Sequence, residues 1–209
     1  MIELWHCKDS RSLRALWTLE ELGLDYRLHL LQFPPRLTDP GYTAINPLGT
    51  VPYLTDGDTR MTESSAIAHY LARRYGEGGL AVAPEESAYG DWLNWLYHSD
   101  ATLTFPQTLL LRYGRFEPKE RRQPQVVEDY TQWFFSRLKL VNARLESHDY
   151  LAADRFTAAD IAVGYALYLA ETLGLGASLK PQTRAYLDRL TARPAFQRAN
   201  ALGAPSLGG

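Results

Sequence analysis

The stretch TVPYLTDGDTRMTESSAI, residues 50–67, decides the fold of this chain. It predicts a β-hairpin of two strands, over 50–54 and 58–61, around the Asp-Gly turn between them. An acidic residue and a hydroxyl residue, Glu63 and Ser64, then open a predicted helix, because both types are preferred in a first helical turn. A helix start beside a sheet edge offers main-chain N–H groups to a ligand, so the stretch predicts a binding place for a small anionic molecule.

The segments before the hairpin predict the rest of a small α/β domain. Residues 2–6 and 26–31 alternate as strands do, and apolar residues at helical spacing run from Ser10 to a closing Gly23. A proline-rich loop with at most one short helix then leads to the hairpin. The predicted element order is βαβαββα.

After the hairpin helix the pattern changes to helices alone. Glycines within 76–79 and Pro84 indicate a linker. Helices are predicted at 86–113, 125–147, 157–173, 181–192 and 196–201. We therefore predict an α/β domain over 1–76, a linker over 77–86 and an all-helical domain over 87–209, whose last residues, 203–209, are expected to be disordered.

Composition excludes several classes of protein. The 209 residues carry 22 Lys and Arg against 24 Asp and Glu, a formal net charge of −2, whereas a nucleic-acid binder would show a basic surplus. No apolar run approaches the roughly 20 residues needed to cross a bilayer, and the N-terminus lacks the features of a signal peptide. We expect a cytoplasmic protein that binds neither nucleic acid nor membrane.

The number of cysteines agrees with a reducing compartment, and the spacing of the histidines predicts no metal site. Cys7 is the single cysteine, which excludes an intramolecular disulfide. The five histidines form no ligand pair with zinc-type spacing.

The first strand-to-helix junction contains residues able to stabilise an anion. Ser10 lies over the first turn of the predicted helix, where the positive end of the helix dipole favours a thiolate and the hydroxyl can donate a hydrogen bond to it. The alternative is that Ser10 or Ser12 only caps the helix. Glu63 and Ser64 have the same alternative, and Pro52 can either fix a special, sometimes cis, backbone step or simply begin a strand.

Taken together, and in this order along the chain, these features resemble those of the cytosolic glutathione S-transferases, in particular serine-type, bacterial-like members. The matching motifs are SRSLRALW at 10–17 with EELGLDY at 20–26, NPLGTVPYL at 46–54, ESSAI at 63–67 with Tyr70-Leu71, and FTAADIA at 156–162. The resemblance implies a thioredoxin-like N-terminal domain that binds glutathione and a C-terminal helical domain that forms the electrophile pocket. It also implies a cytoplasmic homodimer active in detoxification, with glutathione as co-substrate and no tightly bound cofactor.

The resemblance assigns roles to individual residues. Counting back from Arg14 places Ser10 at the position that activates glutathione, with Ser12 as the alternative. Val51, before a cis Pro52, implies main-chain hydrogen bonds to the cysteinyl part of the ligand. Glu63 and Ser64 imply recognition of its γ-glutamyl group.

Two departures leave alternatives open. Many members carry a lysine or histidine in the loop before the proline to pair with the glycyl carboxylate, but this chain has Gly49 and Thr50, so Thr50 or Arg36 is expected to substitute. Cys7 and Ser10 have the C-x-x-S spacing of a one-cysteine redox motif, which would give a glutathione-dependent thiol transferase or peroxidase. A non-catalytic glutathione-binding regulatory protein is the third alternative.

The helical domain gives a weaker prediction for the electrophile pocket. Pro106 is expected to kink the first long helix, since it lacks an N–H group. Thr104, Gln107 and Tyr113 near this kink are expected to line the pocket. Thr157 and Asp160, in contrast, are predicted to cap a helix.

Overall fold

A computed structural model describes residues 1–77 and 79–203 of the chain and divides the chain into two structural units. The first unit contains Met1–Ala81 and the segment from Asp188 onward, and the second contains Val82–Leu187. The predicted disorder of 203–209 concerns residues that, apart from Gly203, lie outside the described ranges.

The described residues form four strands and eleven α-helices, joined by shorter π and 3-10 segments. The strands are β1 Ile2–His6, β2 Tyr26–Leu30, β3 Tyr53–Asp56 and β4 Thr59–Met61. The helices are α1 Ser12–Leu22, α2 Pro35–Thr38, α3 Tyr42–Ile45, α4 Ser64–Tyr75, α5 Tyr89–His98, α6 Phe105–Leu111, α7 Pro124–Arg137, α8 Lys139–Arg144, α9 Ala158–Thr172, α10 Pro181–Thr191 and α11 Pro194–Ala201.

The first unit is built on a mixed sheet with strand order β2-β1-β3-β4. β1 pairs parallel with β2 and antiparallel with β3, and β3 pairs antiparallel with β4. The structure confirms the predicted fold class, an α/β unit followed by helices. It adds two one-turn helices, α2 and α3, in the loop where one at most was predicted.

The hairpin turn lies one residue later than predicted. Asp56 pairs with Thr59, so the two residues between the strands are Gly57 and Asp58, and of these Gly57 has the positive φ, 56°. Glycine adopts this conformation without a Cβ clash, which explains its position. The strand predicted from residue 50 begins at Tyr53, because the preceding residues form an irregular loop.

The core of the first unit lies between the sheet and its helices. Leu4, Leu16, Leu54 and Leu71 have no exposed surface, and burying a leucine side chain contributes about 1.5–3 kcal/mol relative to leaving it in water. α1 packs against α4 on one side and α11 on the other. Its end is closed by Gly23 at φ 61°, as the sequence predicts.

The last helix belongs to the first unit, which differs from the predicted assignment of 87–209 to one helical domain. Trp17 and Phe196 meet edge to face at 4.9 Å between ring centroids. Arg193 donates two hydrogen bonds to Glu21, at 2.6 and 2.8 Å, and these join α11 to α1. Helical periodicity shows that a segment is a helix but does not show which element covers its apolar face.

The second unit contains the predicted break near Pro106. The chain forms a π-helical segment at Ser99–Thr104 and then starts α6, so that Pro106 lies in the first turn of a new helix. A proline is tolerated there because first-turn N–H groups have no intrahelical acceptor. Thr104 Oγ1 donates to the Ser99 carbonyl at 2.7 Å, which satisfies the main chain at this junction.

The start of α9 carries the predicted capping box. Asp160 Oδ2 accepts from the Thr157 amide at 2.8 Å, and Thr157 Oγ1 accepts from the Ala159 amide at 3.3 Å. Asp160 Oδ1 accepts further hydrogen bonds from the Leu151 amide at 3.0 Å and the Tyr186 hydroxyl at 2.8 Å. This fully buried carboxylate therefore ties three segments of the second unit together.

No helix in the described part of the chain has the length and apolar character needed to span a membrane.

We expect Asp160→Ala to destabilise the protein by about 2–4 kcal/mol, because it leaves several buried donors without an acceptor. Urea unfolding followed by far-UV circular dichroism measures this loss. Asp129→Ala is the matched control, since the Asp129 side chain forms its hydrogen bond at the surface of α7, and we expect it to change stability by less than about 0.5 kcal/mol. Equal effects of the two substitutions would contradict the structural role of Asp160.

Candidate functional site

The candidate site lies at the end of the sheet where the two inner strands meet, β1 ending and β3 beginning there. Trp5 pairs with Tyr53 in the antiparallel ladder, so the residues after Trp5 run beside those before Tyr53. The junction from Cys7 to Ser10 and the loop at Val51 are thereby brought to one end of the sheet. The sequence predicted both as site residues, and the topology places them together.

A buried hydrogen bond adds the start of α4 to this end of the sheet. Arg14 Nη1 donates to Ser64 Oγ at 3.0 Å, and both residues are buried. Arg14 lies in the first turn of α1 and Ser64 is the first residue of α4. The two helix starts therefore face the same region of the first unit. The sequence analysis used Arg14 only to locate Ser10 and missed this contact, because the two partners are 50 residues apart.

Ser10 is the accessible hydroxyl of the junction. Its side chain is partly buried, and Oγ donates to the Cys7 carbonyl at 2.7 Å. The same oxygen accepts from the Ser12 amide at 3.3 Å, in the manner of a helix cap. Capping and ligand binding are thus compatible here, since the hydroxyl hydrogen remains able to turn toward a ligand.

Ser12, the alternative to Ser10, is fully buried. Its Oγ accepts from the Cys7 amide at 3.2 Å and lies 2.7 Å from both Ser10 Oγ and His6 Nδ1. With these neighbours it has little capacity left for a ligand. The geometry favours a supporting role for Ser12 behind Ser10.

Cys7 lies on the inner side of the same junction. It has no exposed surface, and burial raises the pKa of its thiol to about 12. A nucleophilic cysteine needs the thiolate form and access to its partner. Neither condition holds for Cys7 in this structure.

His6 is a site residue that the sequence analysis did not identify. It ends β1 with 1% of its surface exposed, and burial lowers the pKa of its ring to about 4. Its period-two spacing from Ile2 and Leu4 was the signal that could have found it, because these residues share one face of the strand. The ring is therefore neutral at physiological pH.

The loop before β3 presents main-chain groups. The peptide bond between Val51 and Pro52 is cis. Within the described residues, neither main-chain polar group of Val51 forms a hydrogen bond. The preceding Thr50 is exposed, but its carbonyl is held by Tyr42 Oη at 2.7 Å and Asn46 Nδ2 at 2.8 Å. The loop is thus fixed behind Val51 while Val51 itself can pair with a ligand.

The start of α4 supplies a carboxylate and a helix terminus. Glu63 is exposed at the N-cap position, and its side chain makes no capping hydrogen bond to the helix. Ser64 is held from inside by Arg14. The first-turn amides of a helix favour an anion, while the Glu63 carboxylate favours a cation beside it.

Arg36 lies beside Gly49, in the segment before β3. A Cβ built on Gly49 would come within 2.7 Å of the Arg36 Cβ, and Gly49 has a φ of 59°. Both observations require glycine there. Arg36 is exposed.

The predicted electrophile pocket needs correction for two residues. Thr104 and Gln107 are 1% and 0% exposed, and their donors bond to main-chain carbonyls of the second unit: Thr104 to Ser99, Gln107 to Leu103 and Ala166. They stabilise helix packing and are not available to a substrate. Tyr113, in the π-helical segment after α6, is partly exposed and stays a prediction.

Among the described residues, no cluster of three or more His, Cys, Asp or Glu side chains could hold a metal ion.

Comparison with known proteins gives matches to both halves of the chain. Residues 10–74 match the family model for the glutathione S-transferase N-terminal domain, and residues 107–194 match that for the C-terminal domain. Glutathione S-transferase GstB of Escherichia coli strain K12 is 30% identical over 204 residues, covering 95% of this chain and 97% of the relative. Glutathione S-transferase 3 of Zea mays is 31% identical over 201 residues, covering 88% and 86%.

The fold also matches a solved structure. A sphingomonad glutathione S-transferase complexed with glutathione superposes with a TM-score of 0.83 at 24% identity, covering 95% of this chain and 97% of the other. At this identity the likeness concerns the fold.

We expect the buried His6 to make the fold sensitive to acid. The unfolded chain, with an ordinary histidine pKa of 6.5, takes up the proton before the folded chain, whose His6 pKa is about 4. Stability that is fully present above pH 6.5 is therefore lost as the pH falls toward 4, by up to about 3 kcal/mol. Urea unfolding at a series of pH values measures this loss.

His6→Asn removes the titrating group and should flatten the pH dependence between pH 6.5 and 4. His148→Asn is the matched control, since this histidine lies in the surface loop after α8, and it should keep the wild-type profile. An unchanged profile in His6→Asn would contradict the assignment.

Proposed function

This chain belongs to the glutathione S-transferase family and is an enzyme of that family, and we propose that it activates the glutathione thiol through Ser10 for attack on small electrophiles. In the proposed reaction the thiol proton leaves to water, and the sulfur remains as a thiolate. The thiolate forms a bond to an electrophilic carbon, and the leaving group departs with its bonding electron pair. The product is a thioether of glutathione.

One observation carries this proposal: of the three candidate groups at the junction, Ser10 is the one that is accessible. Ser12 and Cys7 are fully buried, whereas the Ser10 side chain is partly exposed at the start of α1. A hydroxyl donor and the positive end of a helix both stabilise a thiolate, and together they lower a thiol pKa toward neutrality.

The remaining site residues support the placement of glutathione. The unpaired main chain of Val51 is suited to the cysteinyl part, because an extended peptide pairs through its own amide and carbonyl groups. The first turn of α4 is suited to the γ-glutamyl carboxylate at Ser64, and Glu63 to the ammonium group. Since the Arg14–Ser64 hydrogen bond holds α4 near the start of α1, this orientation directs the sulfur toward Ser10.

Arg36 is our candidate partner for the glycyl carboxylate. Its position beside Gly49, where an added Cβ would come within 2.7 Å of the Arg36 Cβ, supports this choice, since the family resemblance implies a partner for the glycyl carboxylate in this loop. A guanidinium can bind a carboxylate through two parallel hydrogen bonds. Thr50, the other candidate, offers only a neutral hydroxyl.

The alternative chemistry through Cys7 receives no support from the geometry. A mixed disulfide would require the buried Cys7 sulfur to reach glutathione as a thiolate, while burial raises its pKa to about 12.

Partners and compartment follow from the family as proposals. We propose a homodimer that takes glutathione as co-substrate and a small electrophile as second substrate, with Tyr113 as a candidate contact. The proposed compartment is the cytoplasm, where reduced glutathione and a single free cysteine persist.

We expect Ser10→Ala to lower kcat for conjugation of an activated aryl halide by about 10²-fold. The substitution removes a positioned hydrogen-bond donor to the negative charge on sulfur, and the loss of such a donor usually has an effect of this size. Steady-state rates at saturating glutathione measure this change. Ser10→Thr keeps a hydroxyl and should retain most of the activity, and Cys7→Ala should retain it as well. If Cys7→Ala abolished turnover while Ser10→Ala did not, the nucleophile assignment would be reversed.

We expect Arg36→Ala to raise the KM for glutathione about tenfold with little change in kcat, because it removes one charged contact worth roughly 1.4 kcal/mol. Arg27→Ala is the matched control, an exposed arginine on β2 of the same unit, and it should leave KM unchanged. Glutathione ethyl ester, which lacks the glycyl charge, should bind wild type and Arg36→Ala alike. A KM that does not respond to Arg36→Ala would reject this contact.

A further inference from the structure

A chain of short hydrogen bonds runs from Ser10 through Ser12 to His6. Ser10 Oγ lies 2.7 Å from Ser12 Oγ, which lies 2.7 Å from His6 Nδ1. Ser12 and His6 are buried, so no solvent competes for these contacts. The outer end of the chain is the hydroxyl that meets the glutathione sulfur in the proposed function, on which the following inference rests.

The Ser12 hydroxyl can donate to the Cys7 carbonyl at 3.2 Å, but its two shortest contacts, both 2.7 Å, allow two other arrangements. A serine hydroxyl has one hydrogen and two lone pairs. The Cys7 amide, at 3.2 Å, can only donate and therefore occupies one lone pair. One lone pair and one hydrogen remain for the two closest neighbours, His6 Nδ1 and Ser10 Oγ. When the Ser12 hydrogen is used in a 2.7 Å contact and not toward the more distant Cys7 carbonyl, one of these neighbours donates to Ser12 and the other accepts from it.

The two arrangements point the Ser10 hydrogen in opposite directions. If His6 Nδ1 carries no proton, it accepts from Ser12, and Ser10 then donates inward to Ser12. If Nδ1 carries the proton, it donates to Ser12 and Ser12 donates to Ser10, which leaves the Ser10 hydrogen for a ligand. Hydrogen bonds that follow one another in the same direction also strengthen each other.

The surroundings of Ser10 permit the arrangement in which its hydroxyl hydrogen points toward a ligand. In that arrangement its two lone pairs receive the Ser12 hydroxyl and the Ser12 amide, the latter at 3.3 Å. The Cys7 carbonyl, which accepts the Ser10 hydroxyl in the structure, also accepts the Ser10 amide at 3.3 Å. It therefore keeps a donor when the hydroxyl turns toward sulfur.

The environment of His6 favours a neutral ring with its proton on Nδ1. The Leu202 backbone acts on the ring as a hydrogen-bond partner, but within the described residues no acceptor meets the distance and angle of a hydrogen bond at the buried Nε2, and a buried N–H without an acceptor is rarer and costlier than an unused lone pair. Burial and the Lys8 charge lower the pKa of His6, while Asp9 and the backbones of Leu202 and Ser12 act to raise it. The result, about 4, keeps the ring neutral at the pH of the reaction.

We propose that His6 is a positioning residue for thiol activation: with its proton on Nδ1 it donates to Ser12, and Ser12 in turn directs the Ser10 hydroxyl toward the glutathione sulfur. His6 touches neither glutathione nor the electrophile in this scheme. It acts through the direction of the hydrogen-bond chain.

The test is the pKa of the glutathione thiol bound to the enzyme, followed by the ultraviolet absorbance of the thiolate as the pH is varied. We expect Ser12→Ala and His6→Leu to raise this pKa by about one unit, which lowers the thiolate fraction about tenfold at pH values below it. Ser12→Thr keeps the hydroxyl, and His6→Asn keeps an N–H group near the position of Nδ1, so both should stay close to wild type. The KM for glutathione should not change in any of these variants.

His98→Leu is the matched control for the loss of a ring, because His98 also has a buried Nε2 without a hydrogen bond among the described residues but belongs to the second unit. It should leave the thiol pKa unchanged. If His6→Leu fails to fold, the Ser12→Ala and Ser12→Thr pair still decides the question.

The outcomes separate the inference from the proposed function. If wild type does not lower the thiol pKa below that of free glutathione, the proposed function fails. If Ser10→Ala raises the pKa while Ser12→Ala and His6→Leu do not, the inference fails and the proposed function stands. If His6→Asn raises the pKa as much as His6→Leu does, a donor at Nδ1 is not the basis of the effect and the inference also fails.

Discussion

The site depends on one buried hydrogen bond, from the guanidinium of Arg14 to the hydroxyl of Ser64. A guanidinium keeps its charge, and burying a charge costs several kcal/mol unless hydrogen bonds compensate for it. α1 and α4 therefore cannot separate at this point without a large loss of stability. Since each helix contributes its first turn, two positive helix termini lie at one end of the sheet, where they favour a ligand with more than one negative group.

Most of the fold could be predicted from local patterns in the sequence. Alternation in residues 2–6 and the glycine that closes α1 needed no knowledge of distant contacts. The hairpin turn was placed one residue early, because an Asp-Gly pair marks a turn while the register is set by pairing with a neighbouring strand. The Ile2–Asp56 pair of β1 and β3 fixes that register. The position of α11 could not be predicted for a similar reason, since its partners on α1 lie more than 170 residues earlier.

The site could be predicted where helix starts determine the chemistry. Ser10, Glu63 and Ser64 are all polar residues at the beginning of a helix, and the structure places them there. The period-two spacing of His6 from Ile2 and Leu4 indicates a buried ring, but it does not show the contact with Ser12 on which the use of that ring depends. Thr104 and Gln107 were misinterpreted because a polar side chain does not show which side of its helix faces the interior. Their hydrogen bonds to the main chain of the second unit supply the missing information.

In the proposed binding mode, in which Arg36 pairs with the glycyl carboxylate, the close approach of Gly49 and Arg36 makes positions 49 and 36 alternatives for the same positive charge. The family resemblance implies a lysine or histidine in this loop in many members. A lysine at position 49 of this chain would require an unfavourable backbone conformation, and its Cβ would collide with the Cβ of Arg36. The effect of a cation at 49 therefore depends on the residue and backbone at 36, so the two sites are epistatic.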